Sequence, residues 1–188
     1  MTRAMARLGR LAGLLIAGTL VVAGCSSNGA EDPAAEGGSA SRPADVNDSD
    51  VAFARAMLAH HQRTVELAGL AAERSQDPRV RELADRIGAT GRAESATLTA
   101  WLAEWGADAG TAAPSGTVTV DLTAATGQAF DQLFVEQMIE HRAAAITAAG
   151  TEVAGGQDAG AREMAQSIAS GYPNEVIEMA QLRTDLGG

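Results

Sequence analysis

The sequence predicts an all-α protein, a four-helix bundle built from two duplicated helical hairpins. Two observations carry that prediction. Apolar residues recur at alternating steps of three and four through residues 46–188, the period of an amphipathic helix. Many residues also recur, without a gap, at a constant offset of 81. Asp50, Phe53, Met57 and His60 return as Asp131, Phe134, Met138 and His141, and Ala68, Gln76 and Asp77 as Ala149, Gln157 and Asp158. Arg81, Glu82, Ala84, Ile87 and Glu94 return as Arg162, Glu163, Ala165, Ile168 and Glu175. A gapless match of this kind marks an internal duplication. Two equivalent hairpins most simply pack about a pseudo-two-fold axis, with the first and third helices face to face.

Each element has its own signal. Phe53, Met57, His60, Thr64, Leu67 and Ala71 line one face of a first helix, which Asp48 or Ser49 can cap and which fades near Arg74–Ser75. Asp77-Pro78 opens the second: a capping carboxylate precedes a proline at the first helical position, where the missing N–H costs nothing. Val80, Leu83, Ile87, Glu94, Leu98, Trp101 and Leu102 then run to Gly106, a helix-ending glycine. Residues 107–119 read as a loop of small residues joining the halves. Phe130, Phe134, Met138, His141, Ala145 and Ala148 repeat the first face on a third helix, and a fourth runs from Asp158 to about Leu186. Gly88 and Gly91 weaken the second helix, and Gly171-Tyr172-Pro173 the fourth, where the proline predicts a kink or break before Glu175.

The first 45 residues have a different character. Arg3, Arg7 and Arg10 precede an apolar run, Leu11 to Ala23, that is too short to span a bilayer as a mature helix. It ends in Val22-Ala23-Gly24-Cys25, which resembles a bacterial lipobox. Residues 1–24 are therefore expected to be a lipoprotein signal peptide, with Cys25 lipidated and 25–45 a flexible Ala/Gly/Ser/Pro-rich tether. The four-helix domain occupies 46–188, on the outer side of a membrane and anchored to it through lipid. Cys25 is the only cysteine, so its lipidation leaves no thiolate for a metal or a disulfide.

Without residues 1–24 the chain keeps 11 arginines and no lysine against 24 acidic residues, a formal charge of −13. That balance argues against nucleic-acid binding and suits the attraction of cations. Catalysis finds no support: no nucleophile can be assigned beside a histidine, and no glycine-rich phosphate loop occurs. A di-iron carboxylate site needs Glu-x-x-His on two helices, and here Met stands three residues before each His.

All three histidines lie in the duplicated Met-x-x-His clusters. Residues three apart share a helix face, so Met57 with His60, and Met138 with His141, can each grip one ion. Thioether and imidazole together suit copper, above all Cu(I), or silver. If the two faces meet, a site of two sulfurs and two nitrogens becomes available. His61 lies about 100° round the helix from His60. The same residues also admit a plainer reading, in which the methionines fill the core and the histidines hydrogen-bond to Glu94 or Glu175 on the neighbouring helix.

Met-x-x-His-His with Phe four residues ahead of the Met, then an Asp-Pro-opened helix ending Trp-Leu-x-x-Trp-Gly, resembles the bacterial domain-of-unknown-function 305 family over about Val46 to Leu186. The resemblance implies a ferritin-like fold, an extracytoplasmic location and, as in some members, binding of copper or silver. It implies Met57, His60, His61, Met138, His141 and Met179 as ligands. The chain departs from the family pattern in carrying Arg142 after His141, Leu67 and Ala148 after the His clusters, Leu98 after Glu94, and Gly91 and Tyr172 ahead of Glu94 and Glu175. The expected function is copper or silver sequestration or delivery; the alternative is a metal-free helical module that docks an envelope protein.

Overall fold

The computed structural model describes residues 42–110 and 122–187. The leader, Cys25, most of the tether and most of the loop between the halves lie outside the described residues. Helix α1 spans Asp48–Arg74, α2 Pro78–Glu104, α3 Gly127–Gly155 and α4 Ala159–Gly187, with a 3-10 turn at Leu122–Ala124 leading into α3. No strand occurs among the described residues, and none of these helices is long and apolar enough to cross a membrane.

Local chemistry sets the ends. Asn47, rather than Asp48 or Ser49, caps α1: its side-chain oxygen accepts from the N–H groups of Ser49 and Asp50, and the Asp50 carboxylate accepts from the Asn47 N–H. This reciprocal capping box satisfies donors that a lone Ser or Asp would leave open. Asp77 caps α2 ahead of Pro78 as expected. At the other end of α2, Gly106 takes φ +63°, its N–H reaching Ala103 O and that of Ala107 reaching Leu102 O, the paired bonds of a Schellman stop. Pro173 lies inside α4 without ending it, so the expected break does not occur. Gly88 and Gly91 likewise leave α2 continuous, and they serve close packing. A Cβ on Gly88 would stand 3.0 Å from Ala68 Cβ, and one on Gly91 3.3 Å from the His61 carbonyl oxygen.

Helices α1 and α2 form one hairpin, α3 and α4 the other, and α1 lies antiparallel on α3. The start of α1 meets the end of α3, where Asn47 Nδ2 donates to Gly155 O at 2.8 Å. At the opposite end the Arg74 guanidinium donates to the Thr123 carbonyl. Two equivalent aspartates brace the hairpins across this contact. Asp50 Oδ1 on α1 accepts from the N–H groups of Gln157 and Asp158 at 2.9 and 3.0 Å, where α4 begins. Asp131 Oδ2 on α3 accepts from the Asp77 N–H at 3.2 Å, where α2 begins. Each half thus caps the other.

The apolar interior comes in two parts that the 81-residue offset exchanges. One gathers Phe53, Met57, Leu98, Leu102, Trp105 and Ile168; the other gathers Ile87, Phe130, Phe134, Met138, Met179 and Leu186. Each such side chain contributes about 1.5–3 kcal/mol by leaving water. On α3 the buried position after Ala145 is Ala149, not Ala148. Between the two apolar parts, where α1 crosses α3, lies a buried polar layer that includes all three histidines.

Candidate metal centre

The antiparallel crossing brings His60 and His141 together at the pseudo-two-fold axis. Their rings stack with centroids 3.7 Å apart and planes 9° from parallel. The His61 ring stands edge-on to that of His60, 5.3 Å away at 81°. All three side chains are buried. His141 Nε2 lies 3.2 Å from the His60 carbonyl and 3.0 Å from Thr64 Oγ1. A carbonyl only accepts, so Nε2 carries the proton and Nδ1 the lone pair. That Nδ1 is buried without a hydrogen-bond partner, as is His61 Nδ1. Burial pushes the His141 pKa down to about 4, with the neighbouring Arg142 acting in the same direction, so the ring is neutral at physiological pH.

The two carboxylates meet the residues that follow the inner histidines. His61 Nε2 lies 2.9 Å from Glu94 Oε2, and Arg142 Nε lies 3.0 Å from Glu175 Oε2. The reason is rotational: the residue after each inner His is turned about 100° away from the partner helix, toward the second helix of its own hairpin. Arg142 also sets its guanidinium carbon 3.9 Å from the centre of the Tyr172 ring. Burial raises the Tyr172 pKa, so the phenol keeps its proton.

The methionines do not share a centre. Met57 packs in the first apolar cluster with Leu98, and Met138 in the second with Met179. Because α1 and α3 are antiparallel, stepping back three residues from each His moves the two sulfurs in opposite directions, about 9 Å apart along the axis. The site of two sulfurs and two nitrogens expected from the meeting faces is therefore not formed. Instead the structure sets three imidazoles in the middle, Met57 on one side, and Met138 with Met179 on the other. Thr64, Arg142 and Tyr172 join this layer without having been singled out as site residues. Arg142 and Tyr172 were visible as breaks in the repeat, standing where the first half has His61 and Gly91.

The family model for a domain of unknown function, DUF305, matches the chain twice, over residues 50–121 and 115–183. The chain belongs to the DUF305 family. No curated protein matches it. Among solved structures, a DUF305 protein from Streptomyces coelicolor is 24% identical with a TM-score of 0.69, the match covering 77% of this chain and 95% of that one. CopM in its Cu(I)-bound form is 26% identical with a TM-score of 0.64, over 74% of this chain and 98% of its own. CopM has Cu(II)-bound and Ag-bound forms as well.

For this DUF305 chain the donor types suit a soft cation: imidazole nitrogens with bare lone pairs, and thioethers on either side. The geometry is less complete. Among the described residues no three His, Cys, Asp or Glu side chains converge closely enough to hold a metal ion. The stacked rings would have to turn their Nδ1 atoms toward a common point.

Proposed function

We propose that this protein binds Cu(I) or Ag(I) through the central histidines and the flanking methionines, and serves sequestration or delivery on the outer side of a membrane. The observation that carries the reading is the pair of orphaned ring nitrogens, His61 Nδ1 and His141 Nδ1, in a buried three-imidazole layer bordered by Met57, Met138 and Met179. Neutral imidazole is the form that ligates, and burial holds His141 in it. The likeness to CopM in its copper-bound forms supports the same chemistry. Glu94, 2.9 Å from His61 Nε2, would orient that imidazole rather than act as a ligand, while Glu175 is taken up by Arg142. The export-type leader and Cys25 support an extracytoplasmic, lipid-anchored location.

The test is a Cu(I) competition titration of residues 26–188, which hold all four helices, beside a His60→Ala/His141→Ala variant. Stoichiometric binding in the wild type and its loss in the variant are expected. A wild type that fails to compete for Cu(I) sinks the reading. The second reading, a metal-free module docking an envelope protein, draws on Ile177, an apolar side chain 68% exposed beside an open groove between α2 and α4. It predicts that the same titration shows no binding.

A further inference from the structure

Positions 61 and 142 are equivalent under the duplication, as are Glu94 and Glu175, and the chain fills the first pair differently. One carboxylate meets an imidazole at 2.9 Å and the other a guanidinium at 3.0 Å. Arg142 is 1% exposed and ranks among the largest fully buried side chains. Its guanidinium has the two things a cation needs away from water, a carboxylate against one edge and an aromatic face over its plane. Tyr172, which supplies that face, is also specific to the second half. Its counterpart is Gly91, where even a Cβ would come within 3.3 Å of the His61 carbonyl oxygen. Arg142 and Tyr172 therefore form a matched pair, present once, where the first half leaves an imidazole and a bare backbone.

We infer that Arg142 is a built-in cation occupying the place of a second metal ion beside His141, so that the central histidine layer takes one ion per chain, on its His61 side. The inference rests on the metal reading above and deepens it by fixing stoichiometry and side. Arg does not lose its proton at any physiological pH, so the block is permanent where a histidine would open and close. A second monovalent ion about 6 Å from the guanidinium would bind on the order of 100-fold more weakly than one without that neighbour.

The experiment titrates residues 26–188 with Ag(I), counting bound ions by native mass spectrometry, and measures Tm without metal. Wild type is expected to take one equivalent, His61→Asn to bind at least 10-fold more weakly, and Arg142→His to take two. Two equivalents in the wild type, or one unchanged equivalent in Arg142→His, overturns the confinement. Should wild type bind nothing while Arg142→His binds, the metal reading of the natural chain fails and the blocking role of Arg142 stands. The metal-free arm uses Arg142→Met, which leaves Glu175 facing the phenol without its counter-charge. Tm is expected to fall by about 10 °C, with more than half recovered on adding Glu175→Gln. A Tm unchanged in Arg142→Met overturns the built-in cation whatever the titration shows.

Discussion

The two halves share a backbone plan, and at three places they differ by exchanges made among neighbouring residues. At one corner Glu152, Ser49 and Gly156 stand where the opposite corner has Ala71, Phe130 and Ser75. The first set is polar, with Ser49 Oγ donating to Glu152 Oε2 at 2.9 Å; the second is filled by the buried Phe130 ring. Along the α2/α4 edge, Trp101 lies over Gly160 at one end, and Leu182 with Arg79 takes the same positions at the other. In the middle layer His61 with Gly91 faces Arg142 with Tyr172. At the corner and along the edge a large residue arrives where a neighbour has shrunk, whereas in the middle layer both second-half residues are the larger. A close-packed interior tolerates divergence when volume is kept locally, and the corner and edge sets follow that rule.

The corner exchange offers the largest effect. A Cβ on Gly156 would lie 2.0 Å from Glu152 Oε1 and 2.9 Å from Asp50 Oδ1. Glu152 is fully buried and held by Ser49, so it has nowhere to retreat without abandoning that bond. Gly156→Ser, which copies the opposite corner, is expected to cost about 2–4 kcal/mol in urea unfolding. Adding Glu152→Ala, the matching half of the exchange, should bring most of it back. If Gly156→Ser alone proves neutral, the coupled-exchange account of this corner fails.

The same corner makes stability depend on pH. Burial, and then the hydrogen-bonded Asp50 carboxylate, push the Glu152 pKa from 4.5 up to about 7. Burial pushes that of Asp50 up too, but the N–H of Asn47, the Glu152 carboxyl and the N–H groups of Asp158 and Gln157 outweigh it, and Asp50 is held below its usual range. Glu152 therefore keeps the shared proton. Between pH 4.5 and about 7 the folded chain holds a proton there that the unfolded chain has released, so this corner loses stability as pH rises through that window. His141 works oppositely: lowered from 6.5 to about 4, it favours folding increasingly as pH rises between those values. Glu152→Gln should keep the His141 rise and lose the fall, separating from wild type by on the order of 1–2 kcal/mol between pH 4.5 and 7.5. Parallel pH profiles for the two proteins would show that Glu152 is not the proton holder.

What the sequence disclosed follows from what a repeat encodes. Periodicity and the offset of 81 were enough for four helices, their pairing and the burial of Phe53, Met57, His60 and their copies, because burial acts position by position. The spread of Met57 and Met138 to opposite sides of the histidines was not legible, since it depends on α1 and α3 running antiparallel across the axis. Nor was the pairing of Glu94 with His61 rather than His60, which a rotation of about 100° decides. In the sequence Arg142 stands out as a departure from the family pattern; its place against Glu175 and Tyr172 depends on how α3 packs on α4. Asn47 does not stand out as the cap in the sequence because Asp48 and Ser49 offer the same chemistry one and two residues later.

The edge exchange gives the smallest and most discriminating test. At the Trp101 end the indole sits so close that a Cβ on Gly160 would lie 2.9 Å from its Cζ2. At the other end Leu182 is too small to repeat this, and a groove of about 570 Å³ remains between α2 and α4, floored by Leu83, Met179 and Leu182. The Arg86–Glu178 and Arg79–Asp185 ion pairs span it at 3.3 and 3.4 Å. Such exposed pairs contribute little, about 0–1 kcal/mol each, so they do not resist a new side chain strongly. Trp101→Leu should cost about 1–2 kcal/mol by opening a matching groove at the first end. Leu182→Trp should be neutral or stabilise by up to about 1 kcal/mol, since the indole enters space that is already there. If Leu182→Trp instead destabilises by as much as Trp101→Leu, Leu182 and its surroundings are packed as tightly as Trp101 and Gly160, and the edge has no vacancy to explain.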